Sequence, residues 1–398
     1  MTRYGAAWVV PISGRPIRGG WVAIEHGRIS AVGCGPGDRD LGDVALMPGL
    51  VNAHTHLELS YLRDRVPPAS AFVTWIRGVV AEQRRRRDPN AAEIREAMAR
   101  AIGEMEASGT VLAGDISNTL ASVEPLARST LSAVVFNEII RFKGEGAAKV
   151  VGDALRALDA QPFTADVRAG IAAHAPYSVG PAVFHEIRQS VNRTGAVRCS
   201  VHLSESAEEM EFIATGRGPW RIMLEELGSW DPAWTTPGVS PVRYLDDCGF
   251  LDERVLAVHG VQMSPADLER LAARGSTVVT CPRSNRQTGA GTPPIDRFYA
   301  SGVRVAVGTD SLASTPDLNV FAELAAIRAL APSVPASSLL DSATRQGARA
   351  LGFEADFGSI EPGKRGKLLA VAVPPATADV EEYLVSGIAP ERVHRLET

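Results

Sequence analysis

Only eight histidines occur in this 398-residue chain, and two of them, His54 and His56, stand one residue apart in "MPGLVNAHTHLELS" (47–60). Side chains at i and i+2 of a β-strand leave the same face. Both imidazoles can therefore reach one metal ion from a strand's end. An isolated HxH pair reads as readily as two surface or turn histidines, so the rest of the chain must decide. Three more histidines and one aspartate close apolar runs: His174 in "VRAGIAAHAP", His202 in "AVRCSVHLS", His259 in "RVLAVHGV" and Asp310 in "VRVAVGTD". His26, His185 and His394 do not. His54, His56 and His202 with Asp310 suit one borderline divalent metal ion, Zn2+ or Fe2+, with a position left for water. Such an ion lowers the pKa of bound water towards ~7. His259 then has the task of hydrogen-bonding that water or a polarised substrate; the other reading is a core histidine satisfied by backbone.

Glu205 follows His202 by three residues in "HLSES", where a strand turns into a helix. A carboxyl kept protonated in a dry site could pass its proton to a ring nitrogen. It reads equally as a first-turn acid favoured by the helix dipole, and "SESAEEME" supplies several of those. A second metal bridged by a carbamylated lysine is excluded: the lysines are Lys143, Lys149, Lys364 and Lys367, and "VRAGIAAHAPYS" has none.

These residues need a scaffold that gathers strand ends. Continuous apolar, β-rich runs occur at 110–117, 131–140, 167–176, 196–204, 254–261, 276–282 and 303–310, and "ALMPGLVNAHTH" precedes them. Helical stretches such as 89–108, 181–193 and 264–275 separate most of them. Unbroken rather than alternating apolar character suits parallel strands buried on both faces. Eight such β/α units predict a (β/α)8 TIM-type barrel, with its site at the C-terminal ends of the strands. A doubly wound open sheet is the alternative, but no glycine-rich phosphate turn follows the first strand.

The chain ends differ in texture. Glycine-punctuated short strands at the N-terminus and "GSIEPGKRGKLLAVAVPP" near the C-terminus predict a small β-sandwich built from both ends. The expected division is 1–46 and 353–398 for the sandwich and 47–352 for the barrel. An insertion at about 216–250 should lie over the barrel mouth; its Trp220, Trp230 and Trp234 read first as packing residues and second as a wall for an aromatic ligand.

A net charge of -5 and a pI near 6.0 give no reason to expect nucleic acid or an anionic membrane as partner. No run approaches membrane-spanning length, and "MTRYGAAWVVPISGRP" lacks the apolar core of a signal peptide. The scattered Cys34, Cys199, Cys248 and Cys281 read as free thiols in a reducing compartment, so a cytoplasmic location is expected.

With these residues placed, the sequence resembles the amidohydrolase superfamily, in its branch of cytosine-, guanine- and adenosine-type deaminases and triazine chlorohydrolases. The matching pieces are "MPGLVNAHTH", "HAPYSVGPAVF", "VHLSESAEE", "VLAVHGV", "CPRSN", "GVRVAVGTDSLAS", "ATRQGARALG" and "GSIEPGKRGKL", spread over essentially the whole chain. The resemblance implies that His54, His56, His202 and Asp310 hold the metal and that Asp310 also accepts the water's proton. It implies that Glu205 is the acid and His259 the strand-six histidine. The reaction implied is hydrolytic deamination of an aminated heteroaromatic ring in a small-molecule substrate, with dechlorination of a triazine or opening of a cyclic amide as alternatives. A binding protein that has lost its chemistry is the alternative of another class. "NAHTHLELS" and "NEIIRF" look most like the aminodeoxyfutalosine deaminases within the branch. Glu58, Glu138, Arg141, His174, Tyr177 and Arg283 flank strand ends and are candidate substrate contacts. Barrels of this type often dimerise, which leaves a homodimer open.

Overall fold

The computed structural model describes residues 1–85, 88–195 and 197–396. In chain order its strands are β1 (Thr2–Val9), β2 (Ile17–Glu25), β3 (Arg28–Cys34), β4 (Arg39–Asp40), β5 (Val44–Pro48), β6 (Leu50–Thr55), β7 (Thr110–Ser117) and β8 (Ser132–Ile139). There follow β9 (Val167–Ala173), β10 (Arg198–Leu203), β11 (Val255–His259), β12 (Thr277–Thr280), β13 (Arg304–Val307), β14 (Leu368–Ala372) and β15 (Val393–Arg395). Strands β6 to β13 form one parallel sheet in sequence order, with helices between them: the eight-stranded barrel expected from the apolar runs. Position 196, where the fifth run was expected to begin, lies outside the described residues, as do 86, 87 and the last two positions.

Burial explains the pattern of those runs. Every residue of β7 is buried. Leu112, Val134, Phe136, Leu256, Val258, Val279 and Ala306 fill the barrel interior, closed by Leu351, Phe353 and Phe357. The opposite faces of the strands pack under the surrounding helices. Helix limits follow local chemistry: Ser264 and Asp267 form a reciprocal capping box at the start of the helix Pro265–Arg274, and Gly275 ends it at φ 71°.

The seam between β13 and β6 closes the barrel. The backbone N–H groups of Thr309 and Asp310 both donate to the His54 carbonyl, at 3.1 and 3.0 Å. Asn52 Nδ2 donates to Thr309 Oγ1 at 2.7 Å across the same seam. Gly308 lies so near that a Cβ there would stand 2.8 Å from the Cβ of His54 and 2.9 Å from its carbonyl oxygen. Alanine at 308 should therefore displace the His54 backbone. The expected result is a loss of ~1–3 kcal/mol of stability together with weaker metal retention, read by thermal melting and metal analysis. Wild-type values in both would refute this tight closure.

The two chain ends join in a single hydrogen-bonded mixed sheet, ordered β15-β14-β5-β1-β2-β3, with β4 beside β1. The C-terminal strand β14 runs antiparallel to β5, pairing Leu368 with Pro48 and Val371 with Ala45. The run "ALMPGLVNAHTH" is thus two strands in two sheets, divided at Gly49. A side chain at Gly49 would collide with Val111, whose Cγ1 lies 2.2 Å from the ideal Cβ position. Among the described residues no helix is long and apolar enough to cross a membrane.

Candidate active site

His54 and His56 emerge from the end of β6, His202 from β10, His259 from β11, and Asp310 follows β13. The strands stop short of the apolar runs because the backbone turns sharply: Ser204 has φ 52°, His259 φ 77° and Asp310 φ 62°. A left-handed conformation is rare for non-glycine residues and marks positions the surrounding structure holds in place. Here it aims the ends of β10, β11 and β13 at one point.

One group of donors is that of His54, His56 and Asp310. The two histidine Nε2 atoms are 3.2 Å apart, and Asp310 Oδ1 lies 3.7 Å from the first and 3.5 Å from the second. Two ligands of a tetrahedral zinc with bonds of ~2.0–2.1 Å lie ~3.3–3.4 Å apart, so this spacing fits an ion between them. A second triplet, His54, His202 and His259, has its donor atoms within 4.8 Å of one another. Three of the four expected ligands thus form one triplet, and His202 joins His54 in a second that includes His259, a residue expected to hydrogen-bond rather than to hold metal.

Electrostatics favour a cation. Burial holds the His54 imidazole below its ordinary pKa despite Asp310 beside it. Burial and neighbouring His54 take His56 down to about 3. Asp310, although buried, is kept well below the usual carboxylate range by His54, His56 and His259. Neutral imidazoles and an ionised carboxylate are the protonation states that metal binding requires.

Asp310 is oriented from behind. Ser284 Oγ and Ser314 Oγ donate to Oδ2 at 2.6 and 3.1 Å, which leaves Oδ1 facing the histidines. Asn285, beside Ser284 in "CPRSN", places Nδ2 3.0 Å from His259 Nδ1 and fixes that ring. Within this pentapeptide only Arg283 was expected to reach substrate; Ser284 and Asn285 were given no task. Ser284→Ala is expected to lower metal affinity or kcat by ~10-fold or more, measured by metal competition and steady-state kinetics. No change in either would show that the serine does not orient Asp310.

Glu205 is 3 % exposed, and its Oε1 lies 3.5 Å from His259 Nε2. Burial, reinforced by the negative charge of Asp310, raises its pKa well above the ordinary glutamate value. Burial thus favours the protonated form of Glu205, and its neighbours favour the ionised form of Asp310. Its loop is held by Glu209, which accepts from the backbone N–H groups of Ser204 and Glu205, both at 2.9 Å. Ser206 caps the helix Ala207–Thr215 by accepting from Glu209 N at 3.2 Å. The spacing Ser-x-x-Glu at 206–209 was the available signal for this device.

These groups open into a cavity of about 340 Å³ walled by His56, His174, His202, Glu205, His259 and Asp310 at one end. Phe72, Trp75, Ile76, Val79, Trp220 and Met223 make its apolar wall, with Arg141 and Lys143 also on the lining. Of the candidate substrate contacts, Glu138, Arg141, His174 and Tyr177 lie on this wall. Glu58 and Arg283 do not. The Glu58 carboxylate is consumed by the turn after β7, accepting from Asn118 N at 3.0 Å and Thr119 Oγ1 at 2.8 Å. Arg283 makes a bidentate pair with Asp317, two bonds of 2.9 Å, and braces the loop after β13. Flanking a strand end does not decide which way a long side chain turns.

The insertion does reach the cavity. Trp220 stacks on Tyr177 with ring centroids 3.7 Å apart, so it both packs and lines. Trp230 and Trp234 instead pack with Phe142 and Phe212.

Residues 45–389 match the model of the amidohydrolase family. The chain is 32% identical over 323 residues to an aminodeoxyfutalosine deaminase of Deinococcus radiodurans, covering 78% of this chain and 74% of that protein. It is 30% identical to a 5-methylthioadenosine/S-adenosylhomocysteine deaminase of Nitratidesulfovibrio vulgaris, over 89% of this chain and 79% of the relative. Among solved structures, an adenosine deaminase from Xanthomonas campestris with bound zinc superposes with a TM-score of 0.82 at 27% identity, covering 98% of this chain and 90% of that one. The barrel, the convergence of histidines and aspartate at its strand ends and the match over 45–389 have one reading: the chain belongs to the amidohydrolase family.

Proposed function

We propose that this chain is a mononuclear metal-dependent deaminase that releases ammonia from an adenine-containing, nucleoside-like substrate such as aminodeoxyfutalosine. The observation that carries this reading is the buried Glu205 carboxyl 3.5 Å from His259 on the wall of the donor-lined cavity, where burial favours its protonated form. Opening a cyclic amide puts a proton on the ring nitrogen that leaves, which Asp310 could deliver alone; removing an aromatic amino group needs a further acid for the ring nitrogen that stays.

His54, His56, His202 and Asp310 would hold one divalent ion, which makes water nucleophilic at neutral pH and stabilises developing negative charge. We take zinc as that ion, since the Xanthomonas relative carries it and the N3O donor set suits it. In the reaction Asp310 accepts the water's proton as the oxygen adds to the amino-bearing carbon. Glu205 donates its proton to the adjacent ring nitrogen, where negative charge would otherwise develop, and His259 hydrogen-bonds the attacking water. Return of protons from Asp310 to the amino group and from the ring nitrogen to Glu205 releases ammonia and restores both groups.

The apolar wall between the helix Phe72–Arg85 and the helix Pro219–Glu226 gives room for an apolar substituent on the nucleoside. This agrees with relatives named for the deamination of adenosine derivatives with an added group.

The test is ammonia release from metal-reconstituted protein against aminodeoxyfutalosine, 5-methylthioadenosine, adenosine, guanine, cytosine and aminotriazines, with chloride release from a chlorotriazine run in parallel. Fastest release from aminodeoxyfutalosine, with adenosine slower, is the expected result. Chloride without ammonia, or no turnover with metal bound, would overturn it. Reconstitution with zinc and with ferrous iron in separate samples distinguishes the two ions.

A further inference from the structure

A second group of donors stands on the cavity wall beside the first. Glu138 lies on β8, His174 follows β9 and His202 is on β10, and one ligand atom from each lies within 4.8 Å of the others. Each side chain has one polar atom engaged elsewhere and another turned to this group. Asn118 Nδ2 donates to Glu138 Oε2 at 2.7 Å. The other oxygen, Oε1, is buried on a side chain only 3% exposed and has no hydrogen-bond partner. His174 meets Ser178 Oγ through Nδ1 at 2.6 Å, which frees Nε2. His202 turns Nδ1 to His259 Nε2 at 3.0 Å and Nε2 to Glu138 Oε1 at 3.6 Å.

An unpartnered carboxylate oxygen in a buried position costs stability unless a cation meets it. The 3.6 Å spacing between His202 Nε2 and Glu138 Oε1 resembles that of two ligands sharing one zinc, ~3.3–3.4 Å. Two imidazoles and a carboxylate select zinc, cobalt or nickel over calcium and magnesium, which take all-oxygen sets.

We propose that Glu138, His174 and His202 form a second divalent-cation site, joined to the His54–His56–Asp310 group through the His202 imidazole. It is unlike the lysine-bridged two-metal centre that the sequence excludes, because its link is His202, which serves both ions only by releasing its ring N–H proton to solvent. Two dications a few ångströms apart repel, so the second ion binds more weakly than the first, on the order of tenfold or more. An ion there also occupies cavity wall and competes for His202. Filling this site therefore inhibits turnover, and that consequence alone rests on the deaminase reading.

Metal-free protein would be equilibrated against rising Zn2+ and its bound metal counted by mass spectrometry, with Co2+ in place of zinc for magnetic resonance. The wild-type chain should fill one equivalent first and a second at higher metal, with coupled Co2+ spectra at the second step. Glu138→Gln and His174→Gln should each retain the first equivalent and lose the second. A wild-type chain that saturates at one equivalent would overturn the proposal. So would a second equivalent persisting in both variants, or loss of the first equivalent from Glu138→Gln, which would make Glu138 a ligand of the first ion. Ammonia release measured at one equivalent tests the deaminase reading separately, because counting metal requires no substrate.

Discussion

Replacing Glu205 by glutamine should lower kcat by ~10²–10⁴-fold, the usual contribution of a positioned general acid, while metal content stays at the wild-type level. Glutamine keeps the shape and remains a hydrogen-bond donor, but it has no proton to transfer. Position 205 is fixed by backbone bonds to Glu209 rather than by its own carboxyl, so the loop should survive the change. KM should move little, since the lost interaction belongs to the transition state. The pH profile gives a further check. Burial and Asp310 raise the Glu205 pKa, so the proton it donates is present at neutral pH and is lost as pH rises through the raised value. Activity should therefore fall on the alkaline side in the wild type, and that limb should be missing from the residual activity of the variant. Steady-state kinetics from pH 6 to 10 with parallel metal analysis decide it. Activity within a few-fold of wild type, with metal bound, would remove Glu205 from the chemistry.

Much of the candidate site was legible because its polar side chains interrupt apolar strands at their ends, where an imidazole or carboxylate has no structural reason to follow valines and alanines. Period-two spacing put His54 and His56 on one face, and the runs ending in His202, His259 and Asp310 named the other positions. What the sequence concealed follows from two physical causes. The first is long-range partnership. Whether Arg283 faces substrate or a carboxylate depends on Asp317, 34 residues away, and whether Glu58 does depends on the turn 117–121. Likewise, Ser284 and Ser314 meet Asp310 only once the barrel closes. The second is backbone conformation. Apolarity runs unbroken through Gly49 and through His259, yet one is a passage between sheets and the other a left-handed residue at φ 77°. Hydrophobic patterns report burial, and burial continues across both.

Asp310→Asn should reduce kcat/KM by ~10⁴-fold or more, since two functions are lost at one atom: a charged ligand and the acceptor of the water's proton. The substitution is clean at the backbone. Position 310 has φ 62°, a conformation that asparagine accepts as readily as aspartate. Its two serine partners can accept from an amide as well as donate to a carboxylate, so Ser284 and Ser314 would hold the new side chain with its amide nitrogen towards them. The oxygen would then still face His54 and His56, but as a neutral and weaker donor. Metal affinity should fall without folding being lost, and saturating metal should restore occupancy but not rate. That separation distinguishes a base from a mere ligand. If excess metal returned kcat to within tenfold of wild type, Asp310 would be only a ligand, and the proton of the attacking water would have to leave through another group, such as His259, 1% exposed and 3.5 Å from Glu205.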